Sequence, residues 1–195
     1  KCDWSSDVCS SDLNYVGTVN LIESACKLQN KPYFVFASTM EVYGWQPVSD
    51  LIKQGNTPKV IPAFDENTIP NPNAPYAVAK FGCEKYLEYA NRAHGLDYAI
   101  IRQTNSYGRR DNNFFVTEQI ISQMLSNPDQ CNLGYGSPYR NFIYIDDLLD
   151  AWQLIIAQRE KCKNNIFTLG PDEPIQIQQH ARNIASVLGW TGTIN

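Results

Sequence analysis

Apolar side chains recur along this chain with two periods. From Val16 they fall at Val16, Val19, Ile22 and Cys26, the stripe of a helix, and the pattern ends it near Asn30 because Pro32 follows. Tyr33 to Ala37 is a continuous aromatic and β-branched run, as expected of a strand buried on both faces, and it stops at Ser38-Thr39. Residues 44 to 74 carry Gly44, Pro47, Gly55, Pro58, Pro62, Pro70 and Pro72 and read as a long loop. Pro75 then opens a long helix to about His94, with Gly95 suited to its C-terminal cap. Tyr98 to Ile101 is a second buried strand ending at Arg102. Beyond it the pattern predicts a helix from Val116 to Leu125 and a short strand from Phe142 to Ile145. A helix capped by Asp146 or Asp147 follows to Ala157, then a strand over Ile166–Leu169 and a helix from Ile175 to Leu188.

Strands alternating with helices predict an α/β fold, a doubly wound parallel sheet. Ligands bind such sheets outside the carboxyl ends of the strands. That rule points to Ser38-Thr39 and to the turn after Arg102. The reading divides the chain into a leader over 1–13, a partial Rossmann domain over 14–108, and a smaller C-terminal substrate-binding lobe over 109–195. The stretch Cys2 to Leu13 is rich in Ser and Asp, lacks apolar periodicity, and resembles a translated sequencing adapter. It is therefore read as non-native, with the natural protein expected to continue upstream of Asn14.

Composition narrows the possibilities. The 195 residues carry a net charge of −4, so no basic field invites nucleic acid. No apolar run approaches the roughly 20 residues a membrane-spanning helix needs. Six cysteines show neither metal-ligand spacing nor a disulfide framework, and suggest reduced thiols in a cytoplasmic protein. The Asp146-Asp147 pair is better explained by a helix start than by a metal. His94 and His180 both fall on helices and read as structural.

The chemistry centres on Tyr76 and Lys80, which a spacing of four places on one helical face. A free tyrosine, with a pKa near 10, is a poor base at neutral pH. An adjacent ammonium and a helix N-terminus both favour the phenolate, so the pair is expected to lower that pKa and take a proton from a hydroxyl.

Five segments carry a resemblance, in one order along the chain: Asn14–Thr18, Phe36–Gly44, Pro75–Lys80, Arg102–Gly108 and Tyr139–Asp147. With them the chain resembles the extended short-chain dehydrogenases/reductases, the NAD-dependent nucleotide-sugar epimerases and dehydratases. The resemblance implies Tyr76 as catalytic base and Lys80 as holder of the nicotinamide ribose. It implies Ser38 and Thr39 as hydroxyls that orient the reacting sugar oxygen. Ala37, Gln103 and Asn105 would join Tyr76 and Lys80 at the cofactor, NAD. Thr39, Asn105 and Arg140 would hold substrate, Arg140 gripping the diphosphate with a guanidinium fork.

Glu41 occupies the place where the family's 4,6-dehydratases carry the base that removes the C5 proton. Met40 stands where many of them have the general acid, and it cannot donate a proton. Asn141 replaces the usual Asp, and Gln103 a common Pro. The reaction type thus stays open between epimerisation and 4,6-dehydration of a nucleotide-diphosphate sugar through a transient 4-keto intermediate. The alternatives are a decarboxylase or carbonyl reductase of the same superfamily, or a non-catalytic dinucleotide-binding relative. The family's Gly-rich phosphate loop does not occur in this sequence, and the chain alone is expected to be inactive. The resemblance also implies a homodimer through the helices that begin at Val16 and Pro75.

Overall fold

The computed structural model describes residues 12–56, 63–108 and 115–195. A π-helical segment, Asp12–Gly17, leads into α1, Thr18–Cys26. Strand β1, Phe34–Thr39, runs into a 3-10 turn, Met40–Tyr43. The region read as a long loop holds a short helix, α2, Pro47–Lys53. Next come α3, Pro75–His94, and β2, Tyr98–Gln103, and then β3, Asn105–Tyr107. They are followed by α4, Val116–Ser126, then β4, Gln130–Cys131, and β5, Tyr139–Arg140. Strand β6, Phe142–Tyr144, leads straight into α5, Ile145–Ala157, and the short α6, Arg159–Cys162. The chain continues with β7, Asn165–Leu169, β8, Ile175–Gln176, α7, Ile177–Leu188, and β9, Thr193–Ile194. The expected leader lies outside the described residues except for its last two.

Two compact units emerge, and they interleave along the sequence. The first comprises residues up to Thr104 together with Asp150–Leu169; the second is Asn105–Leu149 with Gly170–Asn195. A single cut at residue 108 had been expected. The chain instead returns to the first unit because Trp152, Ile155 and Phe167 bury their side chains against its sheet.

That sheet is parallel, in the order β1-β2-β7, with Phe36 opposite Ile100 and Ile101 opposite Phe167. Alternation along the strands sends side chains to both faces. Phe36, Tyr98 and Ile100 pack with Ile22, Cys83, Leu87 and Ala90 of α1 and α3. Ala99 and Ile101 pack on the other face with Ile155 of α5. Burial on both faces is why these strands read as continuous apolar runs. The second unit is smaller. Its core joins Ile120 and Met124 of α4 to Ala181 and Ala185 of α7 around Cys131, and its strands pair only two or three residues at a time.

Helix α3 carries Tyr76 and Lys80. Pro75 sits in its first turn after an extended Ala74, and Gly95 closes it in the left-handed region at φ 68°. Gly82 lies so close to Tyr15 that a Cβ there would meet the ring at 2.8 Å, so α3 approaches the segment before α1 closely.

Candidate active site

Strand β1 ends where the site begins. Thr39, 9% exposed, is the last residue of the strand, and its Oγ1 accepts the Glu41 N–H at 3.2 Å, which starts the 3-10 turn. The turn closes at Gly44, whose φ of +52° and close approach to the Asn71 carbonyl leave no room for a Cβ. Backbone bonds from Trp45 N to Asn71 O (3.1 Å) and from Asn71 N to Val42 O (3.0 Å) fasten the turn to the segment that enters α3. One fastening thus fixes both the Glu41 turn and the start of the helix bearing Tyr76.

Tyr76 is half-exposed at 37%. The Lys80 Nζ lies 5.8 Å from its ring centroid and 5.0 Å from that of Phe36, and donates to the Ala37 carbonyl at 2.9 Å. Burial pulls the Lys80 pKa below its ordinary value. Tyr76 departs from expectation: its pKa is raised, by burial first and by the Glu41 carboxylate second. The physical reason is that partial burial penalises the phenolate, while the ammonium has its closest bond at a carbonyl rather than at the phenol. Glu41 is exposed on its turn, and its charge is the second cause of that rise.

Ser38 and Gln103 each hold a partner within the protein. Ser38, 3% exposed, donates inward to Glu84 Oε1 at 2.5 Å. The Gln103 side-chain carbonyl accepts from the Trp152 indole at 3.2 Å. Sequence reasoning missed Glu84 and treated Arg102 only as a strand end. The signal was present: Glu84 continues the 76, 80 spacing by another four, and Arg102 closes an otherwise apolar strand.

In the second unit Asn105 and Arg140 line one cleft of about 260 Å³, together with Gln119, Gln123, Asn132 and Tyr135. Gln123 exchanges two bonds with the backbone of Asn132, N–H to Oε1 at 3.0 Å and Nε2 to the carbonyl at 3.2 Å, which braces the wall. The Arg140 Nη1 donates to the carbonyl of Tyr139 at 2.8 Å. Asn141 donates to the Pro171 carbonyl at 2.6 Å, a structural bond. Asp146 and Asp147 lie inside the first turn of α5 rather than at its cap. Among the described residues no three His, Cys, Asp or Glu side chains gather as a metal site.

The family model for the NAD dependent epimerase/dehydratase family matches residues 4–170. The chain belongs to this family. It is 29% identical over 174 residues to the dTDP-D-glucose 4,6-dehydratase of Dictyostelium discoideum, covering 89% of this chain and 39% of that protein. It is also 29% identical over 145 residues to the GDP-L-fucose synthase of Escherichia coli, covering 66% of this chain and 45% of that protein. The UDP-glucose 4-epimerase of Thermotoga maritima, solved with UDP-glucose, superposes with a TM-score of 0.79 at 26% identity over 97% of this chain and 58% of that one. The chain thus spans about half the length of the relatives it matches, and those relatives carry the names of three different reactions.

The donor set of this epimerase/dehydratase family member suits the nicotinamide end of a dinucleotide. Tyr76 and Lys80 stand at the carboxyl end of a parallel strand, and a half-buried ammonium held by one carbonyl keeps further N–H donors for hydroxyls. No described helix is long and apolar enough to cross a membrane.

Proposed function

We propose that the whole protein converts a nucleotide-diphosphate sugar by NAD-dependent epimerisation or 4,6-dehydration through a transient 4-keto sugar. The observation that carries this reading is the Tyr76–Lys80 pair at the end of β1, with Lys80 fastened to Ala37 beside Thr39 and Glu41. NAD, when bound, supplies the hydride acceptor and later the donor. Tyr76 takes the hydroxyl proton at the sugar carbon that is oxidised. Its raised pKa makes that task depend on cationic help, and Lys80 is the cation at hand. Thr39 accepts from Glu41 N–H, which leaves its own hydroxyl hydrogen to donate to the sugar oxygen. Ser38 serves through Glu84 and not by touching substrate. Ala37 acts through its carbonyl. Asn105 and Arg140 are assigned to the nucleotide diphosphate, with Gln103 at the cofactor side of the strand end.

Glu41 takes a different part in each of the two reactions. As a carboxylate near Tyr76 it is placed to remove the acidic proton beside a ketone, the step dehydration needs; in an epimerase it orients. The reading also includes a cytoplasmic homodimer through α1 and α3, which expose Leu21, Val78 and Tyr89. The 195-residue chain alone carries no Gly-rich phosphate loop and is proposed to bind NAD weakly and to turn nothing over. A micromolar affinity by calorimetry would remove that part.

The test incubates the whole protein with NAD and a panel of nucleotide sugars and weighs the products. Loss of water assigns a dehydratase and gives Glu41 its base role. Unchanged mass with altered stereochemistry assigns an epimerase. Loss of carbon dioxide assigns a decarboxylase. No change with any nucleotide sugar rejects the proposal in favour of a carbonyl reductase or a non-catalytic dinucleotide-binding relative.

A further inference from the structure

We propose that Glu84 is a positioning residue for the Tyr76–Lys80 site, acting through Ser38 and Arg102 to hold the end of β1 in fixed register with the helix that carries the catalytic pair. The inference deepens the function proposed above and rests on it.

Tyr76, Lys80 and Glu84 follow one another at intervals of four on α3, so they share a face. At 1.5 Å per residue Glu84 stands about 6 Å along the axis from Lys80. Two of the three grip neighbouring residues of β1. Lys80 donates to the Ala37 carbonyl, and Glu84 accepts from the Ser38 hydroxyl. The next residue is Thr39. The spacing between Thr39 and Tyr76 is therefore set by two polar bonds only a turn apart.

Glu84 does more than receive Ser38. It is 0% exposed, and Arg102 is 2% exposed. The Arg102 Nε donates to Oε1 at 3.1 Å and Nη2 to Oε2 at 2.7 Å, a fork that leaves neither carboxylate oxygen idle. Arg102 Nη1 also donates to the Tyr43 hydroxyl at 3.3 Å, with the guanidinium over the Tyr43 ring at 5.0 Å. Tyr43 and Thr168 share a hydrogen bond of 2.6 Å, and the Thr168 N–H donates to Glu66. The set ties the carboxyl ends of β1, β2 and β7 and the Glu41 turn to the catalytic helix.

A buried ion pair is a poor choice for stability alone, because apolar residues of similar volume do as well or better. Its distinctive property is geometric. A saturated fork admits one arrangement of its partners, whereas an apolar contact tolerates sliding. Placing that constraint under the reacting residues is where it affects rate, since an ångström of misplacement costs about 10²-fold.

The test uses Glu84→Gln, Ser38→Ala and Tyr43→Phe in the whole protein, with Glu84→Asp as the conservative variant. Steady-state turnover of the nucleotide sugar is read beside hydrogen exchange resolved to peptides. The expected result is a kcat lower by about 10²-fold for Glu84→Gln and about tenfold for Ser38→Ala and Tyr43→Phe, with KM unchanged and partial recovery in Glu84→Asp. Exchange should rise in peptides 38–45 and 75–82 and stay constant in α7. Ser38→Ala and Tyr43→Phe each remove one spoke and leave the ion pair, so they carry the test if Glu84→Gln does not fold. Unchanged kcat in folded variants, or exchange raised evenly over the first unit, overturns the proposal. If the unaltered protein turns over no nucleotide sugar, the functional reading fails, and the exchange pattern still decides whether Glu84 positions β1.

Discussion

Arg102 and Arg140 lie toward the carboxyl ends of strands in different units and live in opposite conditions. Arg102 is 2% exposed and forked onto a buried carboxylate. Arg140 is exposed on a two-residue strand, and its guanidinium donates to the carbonyl of the residue before it. The first has exchanged its water for fixed partners. The second keeps water on a face that lines a cleft. A side chain that must hold a scaffold is desolvated once, during folding. One proposed to take an anionic ligand stays exposed, with a single main-chain carbonyl as its partner. The same contrast runs through the two units. Thr39 and Ser38 are buried at the end of a six-residue strand, whereas Tyr135 is 73% exposed on the cleft wall.

The comparison breaks most visibly at Lys80. Lys80→Met removes the cation beside Tyr76 and the fastening to Ala37, and kcat is expected to fall by at least about 10²-fold, measured by turnover of the whole protein. The next effect is on stability. Gly44→Val places a Cβ against the Asn71 carbonyl in a left-handed backbone and is expected to cost about 3 kcal/mol or more in chemical denaturation. A neutral outcome would mean that the turn is not fastened as described. Arg140→Ala should act differently from both. Losing a charge-assisted contact worth about 1.5–3 kcal/mol raises KM by about 10- to 100-fold with little change in kcat. A change in kcat alone would move Arg140 out of the recognising class.

The smallest effect is a pH dependence confined to the second unit. His180 stacks on Phe142 at 4.3 Å and shares a hydrogen bond with Thr117 at 3.0 Å, and burial holds its pKa below the ordinary value. The unfolded chain therefore binds the proton more readily. Stability is intact above the unfolded pKa, near 6.5, and declines as pH falls through it toward the lower folded value. Melting should shift down between about pH 7 and pH 5, and His180→Gln should flatten that slope. A slope unchanged by the substitution would assign the loss to carboxylates instead.

The sequence displayed the parts whose rules are local. Helix α3 begins at Pro75 and closes at Gly95 as its caps required, and β2 was visible as an apolar run. The Tyr76–Lys80 pairing followed from helical spacing alone. Strands β4, β5, β8 and β9 were not visible, because two-residue pairings carry no period and exist only through their partners. Helix α2 was hidden by the prolines around it. The Glu84–Arg102 bond joins residues 18 apart in sequence, and no pattern within either segment announces the other. Tyr76's raised pKa was misjudged for a similar reason, since burial and the reach of Glu41 are properties of the folded chain.

One consequence of the Lys80–Ala37 bond concerns disorder. A lysine carries about 2 kcal/mol of rotamer entropy, and one tethered to a main-chain carbonyl has surrendered most of it before any ligand is present. In the proposed reaction each cycle starts from an ammonium already confined, with no search through conformers to repeat. Arginine at this position would keep the charge, but its planar fork is a different shape from the point donor that one carbonyl confines.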